Sequence, residues 1–372
     1  MMGHNRSVMW LCVAWAGFVS GCDWWGGDEE KGFEDELPKL EIAVDETEPA
    51  TDDHAETASP SPATGTQIPL RKTVVQSLIQ GSVSSRCKLV LELVISIEEA
   101  AVEGCTRLGV YYNRVRLSGN VAGEGFDYDS QNPPKTIPSQ ALIYHGLVGN
   151  RFYFWVGPRR QMRLVGFDRF LNRCVKHLPR TQQQRVLEDL SAMSDEDGIA
   201  RFVDETLSVL QNAPGGDEDS INLKVGASWT QQQQVTGPMP MTLQTEYTVK
   251  TLSEAESQID IRGTVGPAIP VSSPSPQDEN MIVTVRGGRT FGQCTVNHKT
   301  GLPTHSQVER FIDMHVQLAD GRRFEQRKRI VTTIEPLPLA TAGQESAKIP
   351  PSDPQAATDR LTRVPAEGAS RQ

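Results

Sequence analysis

The feature that most constrains the fold is a strict alternation of apolar and polar side chains near the C-terminal end of the chain. In residues 312–318 every second residue is apolar, and the residues between them are polar. A β-strand turns successive side chains to opposite faces, so this alternation predicts a strand with one buried and one solvated face. Asp320-Gly321 predicts a turn, and a second alternating stretch over 324–334 completes an antiparallel pair.

The same period recurs on both sides of a helical middle section. It predicts strands over 73–79, 88–95 and 107–117 before that section, and over 241–249 and 259–265 after it. Within the section, Pro138 predicts the start of a helix to about Val148, and residues 152–156 read as a short aromatic strand.

Three further helices complete that section. An apolar stripe at helical spacing predicts one over 167–178, and a second is predicted over 182–190. Ser194 and Asp197 resemble a capping box that opens a third. We therefore expect an α+β fold, in which a curved antiparallel β-sheet, closed part of the way round, is packed on a cluster of helices.

The N-terminus carries an export signal. A weakly basic start and an apolar run of about 12 residues lead to Val19-Ser20-Gly21-Cys22. The run suits a secretory signal and is too short for a membrane-spanning helix. The four residues resemble the lipobox of bacterial lipoproteins, in which the cysteine is lipidated and becomes the first mature residue. We expect an exported protein anchored through Cys22 in the cell envelope, with the membrane undecided; the alternative is an ordinary secreted protein.

Charge and composition divide the chain into four parts. We predict a signal peptide over 1–21, a lipid anchor and acidic disordered tether over 22–69, a single α+β domain over 70–335 and a disordered tail over 336–372. Residues 23–66 hold 14 acidic residues against Lys31 and Lys39, which accounts for the net charge of −10. The remaining chain is near neutral and has no basic stripe, so we expect no nucleic-acid partner.

Several short motifs together carry a family resemblance. They include Phe126-Asp127-Tyr128-Asp129-Ser130, Phe154-Trp155-Val156-Gly157-Pro158, Gly226-Ala227-Ser228-Trp229 and Thr300-Gly301-Leu302-Pro303. With these motifs the chain is similar to an uncharacterised lipoprotein family, a domain of unknown function, of planctomycete-type bacteria. The similarity spans about 73–334. The resemblance implies a lipid anchor and a shared fold, and it implies no catalytic activity.

Catalytic and metal-binding motifs are missing from the sequence. No nucleophile elbow, phosphate-binding loop, dinucleotide fingerprint or zinc-protease motif occurs. Asp127 and Asp129 share one face of an expected strand, where they either bind a cation or act in acid–base chemistry, or else solvate the strand end. Cys294 and His298 lack the further ligands that a zinc site needs. We therefore expect no enzyme, no cofactor and no metal.

Two other groups of residues leave alternatives open. Arg322-Arg323 and Arg327-Lys328-Arg329 belong either to a solvated strand face or protected edge, or to a patch for an anionic ligand. His145 and His177 fall in predicted helices and are expected to be partly buried. The cysteines that remain after cleavage and lipidation are expected to be buried thiols or to form disulfides, with three pairings open; they are Cys87, Cys105, Cys174 and Cys294.

These observations favour a membrane-anchored binding or carrier domain for a hydrophobic or lipid ligand. The alternative is a structural or protein-interaction component of the cell envelope, with an envelope protein as its partner. An apolar cavity would favour the carrier, and a filled core with an exposed apolar patch would favour the interaction protein.

Overall fold

The computed structural model describes residues 63–81, 83–102, 105–121, 124–157, 162–191, 203, 205–210, 213, 223–235, 239–268 and 281–338. The predicted signal, Cys22, the tether as far as residue 62 and the tail from residue 339 lie outside the described residues. So does the predicted helix start at Ser194. Among the described residues, no helix has the length and apolar character needed to cross a membrane.

Long β-strands make up most of the described chain. They are β1 (Gln67–Gln80), β2 (Val83–Val102), β3 (Cys105–Val121), β4 (Glu124–Asp129), β5 (Arg151–Val156), β6 (Met162–Val165), β7 (Ser228–Val235), β8 (Met241–Leu252), β9 (Glu256–Pro267), β10 (Met281–Asn297), β11 (Pro303–Leu318) and β12 (Arg323–Pro336). The alternation over 312–318 lies within β11, where the apolar positions are buried, so the strand and the turn that follows it are confirmed.

The strands form one twelve-stranded sheet in the order β6-β5-β3-β2-β1-β12-β11-β10-β9-β8-β7, with β4 also paired to β3. Neighbouring strands run antiparallel throughout. The first and last strands pair with each other at the centre of the sheet. In this pair, Leu70 of β1 opposes Pro336 of β12, and Ile79 opposes Arg327. The two ends of the sheet are therefore β6 and β7, both from the middle of the chain.

The described helices are few and short. They are α1 (Leu142–His145), α2 (Phe167–Val175) and α3 (Arg180–Ser191), with 3₁₀ turns at Ser139–Ala141 and Glu205–Ser208. The helix predicted over 167–178 and the one over 182–190 are confirmed as α2 and α3. The helix predicted from Pro138 to Val148 is wrong, because only a 3₁₀ turn and the single turn of α1 occupy that segment.

The predicted α+β class is wrong because the described helices are few and short. The protein is mostly an open antiparallel sheet and not a sheet packed on a helix cluster. Strands β6 and β7 were not predicted, and Gly287-Gly288, which resemble a hairpin turn before a strand, lie inside β10 next to a register shift. The strands are up to 20 residues long and bury apolar side chains on one face of the sheet. The sheet is therefore large although the described helices are few.

Three apolar clusters lie on one face of the sheet, which we call the inner face. The first cluster combines β1, β2, β3 and β5 with residues of α2 and α3. The second cluster draws on β1 and β7–β12, and the third joins β7–β11 to Val209 and Leu210. Val74 of β1 packs against both the first and the second cluster, so the apolar lining is continuous across the central strand.

Candidate functional site

A row of polar residues crosses the inner face between the second and third clusters. Strand pairing places them directly opposite one another in the order Gln231, Thr245, Gly263, Thr290 and Arg310, on β7 to β11. At Gly263, a Cβ would lie 2.6 Å from the backbone oxygen of Gln244, so only glycine fits this close approach of strands. We call these five residues the polar row.

Arg310 is the charged member of the polar row and is 8% exposed. Its Nε donates to Oγ1 of Thr290 at 3.1 Å, and its Nη2 donates to Oε2 of Glu205 at 2.7 Å. Glu205 begins the 3₁₀ turn Glu205–Ser208, so this ion pair fastens the turn to the sheet. The sequence could have predicted that Arg310 faces inward, because it lies two residues before Ile312 and four before Met314 on the same strand.

A small cavity of about 20 Å³ lies over the polar row. Tyr247 and Gln233 also line it, and the hydroxyl of Tyr247 donates to Oε1 of Gln231 at 3.3 Å. Burial is the main cause that raises the pKa of Tyr247, so its hydroxyl stays protonated. A cavity of this size takes about one water molecule and excludes an organic ligand.

Two buried lysines lie on the inner face among apolar neighbours. Lys328 of β12 is 1% exposed and stands in register with Leu78 and Ile312, which belong to the second cluster. Lys72 of β1 is 7% exposed and opposes Leu91, a member of the first cluster. Lys328 belongs to the predicted basic run, although the period of β12 turns its side chain inward.

The other members of that run lie on the opposite, outer face. Nε of Arg327 donates to Oδ1 of Asp313 at 2.6 Å, and Nε of Arg329 donates to Oε1 of Glu309 at 2.5 Å. These carboxylates raise the pKa of each guanidinium. Since β12 is a central strand, the predicted basic run is a solvated, ion-paired face, and it does not protect an edge.

A second, more open depression lies beside α1 and α2, and we call it the histidine basin. Its volume is about 440 Å³, and its polar lining consists of Ser130, His145, Asn150, Arg173, Lys176 and His177. Among the described residues that line it, none carries a carboxylate.

Close backbone packing brings the two histidines of the basin together. A Cβ on Gly146 would lie 2.0 Å from the carbonyl oxygen of Cys174, so only glycine lets α1 approach the end of α2 this closely. The imidazole rings of His145 and His177 are therefore 4.7 Å apart, centroid to centroid, in an edge-to-face arrangement. Both predicted helix histidines thus meet at one site, a contact that sequence spacing does not reveal.

Tyr128 of β4 completes this cluster. Its hydroxyl lies 2.5 Å from Nδ1 of His145. Burial, aided by the charge of Asp129, raises the pKa of Tyr128 to about 12, so the phenol remains the donor in this contact. His145 then accepts at Nδ1, and its neutral form carries its proton on Nε2.

The surroundings of both histidines lower their pKa values. Burial and then the proximity of His177 lower the pKa of His145. Burial also lowers the pKa of His177, against a smaller opposing effect from its hydrogen bond to the backbone of Cys174. The permanent positive charges of the basin are therefore those of Arg173 and Lys176.

The paired aspartates of β4 do not converge on a ligand. Asp129 accepts hydrogen bonds from Nε and Nη2 of Arg114 and from the backbone N–H of Gln131. The bond from Arg114 is the main cause that lowers the pKa of Asp129. Asp129 therefore fixes β4 to β3 and the turn after it, which matches the strand-end role rather than a cation site.

The remaining predicted positions are dispersed. Nε2 of His298 lies 2.5 Å from Oγ of Ser257, whereas Cys294 is buried in the third cluster. Within the described part of the chain, no group of three or more His, Cys, Asp or Glu residues is placed to hold a metal ion. The four cysteines that it includes are free thiols: Cys87, Cys174 and Cys294 are buried, and Cys105 is partly exposed.

Comparison with known proteins gives a family and no activity. The profile of a family of unknown function, DUF6263, matches residues 103–303. No curated protein sequence matches the chain. A solved structure described as lipid–protein interactions in lipovitellin is similar over 76% of this chain and 26% of its own, with 11% identity and a TM-score of 0.37.

A DUF1329 family protein from Desulfovibrio piger is similar over 76% of this chain and 92% of its own, with 9% identity and a TM-score of 0.14. The chain thus spans about a quarter of the lipovitellin chain. At these TM-scores neither structure indicates a function.

Proposed function

The chain belongs to the DUF6263 family of unknown function, and we propose that it is a non-catalytic domain that binds a hydrophobic or amphiphilic ligand, such as a lipid, on the inner face of its sheet. The observation that carries this proposal is the composition of the second cluster. It runs across β1 and β7–β12, and none of its members, as far as the chain is described, belongs to a helix.

An apolar sheet face is stable only when something covers it. In the first cluster, α2 and α3 supply part of that cover. The second cluster is built from the sheet and from Met239, and none of the described helices contributes to it. An acyl chain that enters the second cluster replaces apolar contacts between side chains with apolar contacts to the ligand. Entry into a core covered by helices would require those helices to move away from the sheet.

Buried cations on the same face support an amphiphile with an anionic head group. Lys328 lies between Leu78 and Ile312 in the lateral register of the sheet. Lys328 already interacts with a group of the protein, and a ligand carboxylate or phosphate would be a further partner for its ammonium group, which has three N–H donors. Lys72 is a second buried lysine on the same face.

The test uses Lys328 and its neighbour Arg327, which lie on opposite faces of one strand. The full-length chain carrying Cys22→Ser is incubated with palmitate or with hexadecanol, and complexes are detected by native mass spectrometry. We expect a palmitate adduct that Lys328→Met weakens and Arg327→Met leaves unchanged. Thermal melting verifies that each variant is folded. No adduct with either probe, or with an added envelope lipid extract, would refute the proposal.

We also propose that the protein is an exported lipoprotein of the planctomycete type, anchored in the cell envelope through a lipid on Cys22. The apolar run and Val19-Ser20-Gly21-Cys22 support this assignment. Two or three acyl chains give stable anchoring. The acidic segment after Cys22 would then hold the sheet domain away from an anionic membrane surface.

The outer face favours a second candidate, a structural or protein-interaction role in the envelope. Phe291 is 42% exposed and stacks on Phe311 with ring centroids 6.0 Å apart. The guanidinium of Arg289 lies over both rings. Aromatic and arginine side chains are enriched at binding hot spots. Chemical cross-linking in cells, with Phe291→Ser as the disrupting variant, tests this role.

A further inference from the structure

We infer that the histidine basin is a binding site for a tetrahedral oxyanion, a phosphate or sulfate group that is either free or part of a lipid head group. The basin lies beside α1 and α2, and this inference does not depend on the proposed function. It rests on the convergence of cationic and neutral donors around a basin whose described lining has no carboxylate.

The donors suit an oxyanion in number and kind. Arg173 uses Nη2 to donate to the carbonyl of Arg151 at 2.8 Å, and a guanidinium has four further N–H donors. Lys176 supplies an ammonium group at the exposed end of α2. Guanidinium and ammonium groups form short, strong hydrogen bonds with phosphate oxygens.

Neutral donors complete the site. Oγ of Ser130 accepts from the backbone N–H of Val115 at 2.9 Å, which leaves the hydroxyl proton for another acceptor. Nε2–H of His145 is likewise a donor, because the Tyr128 hydroxyl holds Nδ1. The nearest carboxylate along the chain, Asp129, is held by Arg114 and so does not oppose an anion.

A metal ion is the main competing occupant, and it fits less well. Two histidines face one another, but a zinc site needs three or four ligands. No third ligand of the usual kinds joins them among the described residues. The adjacent charges of Arg173 and Lys176 also repel a cation.

Binding is expected to strengthen as the pH falls. The ionisable side chains that face the basin are Tyr128 from β4, His145 from α1, and Arg173, Lys176 and His177 from the end of α2. The imidazole is the side chain whose charge changes near neutral pH, so we expect His145 and His177 to respond. Because a bound anion favours the imidazolium form, proton uptake and anion binding reinforce each other.

The experiment measures sulfate binding to the full-length chain by isothermal titration calorimetry between pH 5.5 and 7.5, a range in which sulfate keeps its charge. We expect saturable binding that tightens toward pH 5.5. Arg173→Gln with Lys176→Gln should weaken binding by about tenfold or more, the size of one lost charged hydrogen bond. The control, Lys299→Gln, removes one charge from an exposed turn and should bind like the wild type.

Histidine NMR supplies a readout that a purely structural role would not change. Sulfate should shift the imidazole signals that His145→Gln and His177→Gln identify. Inorganic phosphate and soluble dihexanoyl phosphatidylglycerol are then compared, and tighter binding of the latter indicates a lipid head group as the source. Absence of saturable binding, unchanged affinity in the double variant, or affinity independent of pH would overturn the inference.

Discussion

Nη2 of Arg310 lies 2.7 Å from Oε2 of Glu205, although the two residues are 105 positions apart in the sequence. This ion pair joins β11 to the 3₁₀ turn that precedes Val209 and Leu210 of the third cluster. Its Coulomb attraction is strengthened by the burial of Arg310, while Glu205 remains partly exposed.

Arg310→Met is predicted to destabilise the protein by about 2 kcal/mol, because it leaves the Glu205 carboxylate without its guanidinium partner. Glu205→Gln keeps a hydrogen-bond acceptor and should cost about 1 kcal/mol. Urea denaturation of the three proteins gives the comparison. A Glu205→Gln variant as stable as the wild type would show that the charge of Glu205 contributes nothing.

Gly263→Ala is predicted to cost roughly 1–3 kcal/mol, since its Cβ would lie 2.6 Å from the backbone oxygen of Gln244. The matched control is Gly266→Ala, three residues further along β9, where the nearest atom that a Cβ would meet is 4.0 Å away. Thermal denaturation should separate the two variants. If both melt together, the close approach at Gly263 relaxes freely.

The stability of the protein is predicted to fall as the pH drops below about 6.5. The folded chain holds the pKa values of His145 and His177 below their ordinary 6.5. As the pH falls, the unfolded chain therefore binds protons first, and the contribution present above that pH is progressively lost. In buffers without phosphate or sulfate, the melting temperature of His145→Gln/His177→Gln should decline less than that of the wild type.

Thiol labelling of the native protein at pH 8 is predicted to be selective. Burial raises the pKa of Cys87 and of Cys174 to about 12, so almost no reactive thiolate forms there. Cys294 is 1% exposed, whereas Cys105 is partly exposed. Iodoacetamide followed by peptide mass spectrometry should find Cys105 modified and the other three protected. A disulfide among these four residues would contradict the free thiols.

Metabolic labelling tests the anchor. Cells that express the full-length chain should incorporate radioactive palmitate into it, and Cys22→Ser should abolish the label because only the thiol forms the thioether. Cys12→Ser, within the apolar run, is the control and should label normally. Labelling that survives Cys22→Ser would refute lipidation at this residue.

The strands whose two faces differ in polarity could be predicted from the sequence alone. In β11 and β12, alternating burial follows directly from the period of the side chains, and the same period marks Arg310 and Lys328 as inward. The stripe of α2 was equally readable, since Phe167, Phe170 and Cys174 occupy one buried helical face. Local periodicity suffices where one face of an element is solvated.

Strands whose two faces do not differ clearly in polarity were not predicted from the sequence. β7 includes four consecutive glutamines, and its place beside β8 is set by partners far along the chain. The glycines of β10 resemble a turn locally, yet the close approach of β11 to Gly288 and Gly292 keeps them in the sheet. Glycine at such positions reflects the spacing of neighbouring strands, which the local sequence does not encode.

Contacts between residues that are distant in the sequence depend on the tertiary structure. The pairing of β1 with β12 joins the first and last strands at the centre of the sheet and places Lys328 beside Leu78. The strands at the two ends of the sheet are β6 and β7. Packing of Gly146 against Cys174 brings His145 to His177. These contacts depend on the global order of strands and on backbone approach, whereas periodicity reports only which way each side chain faces.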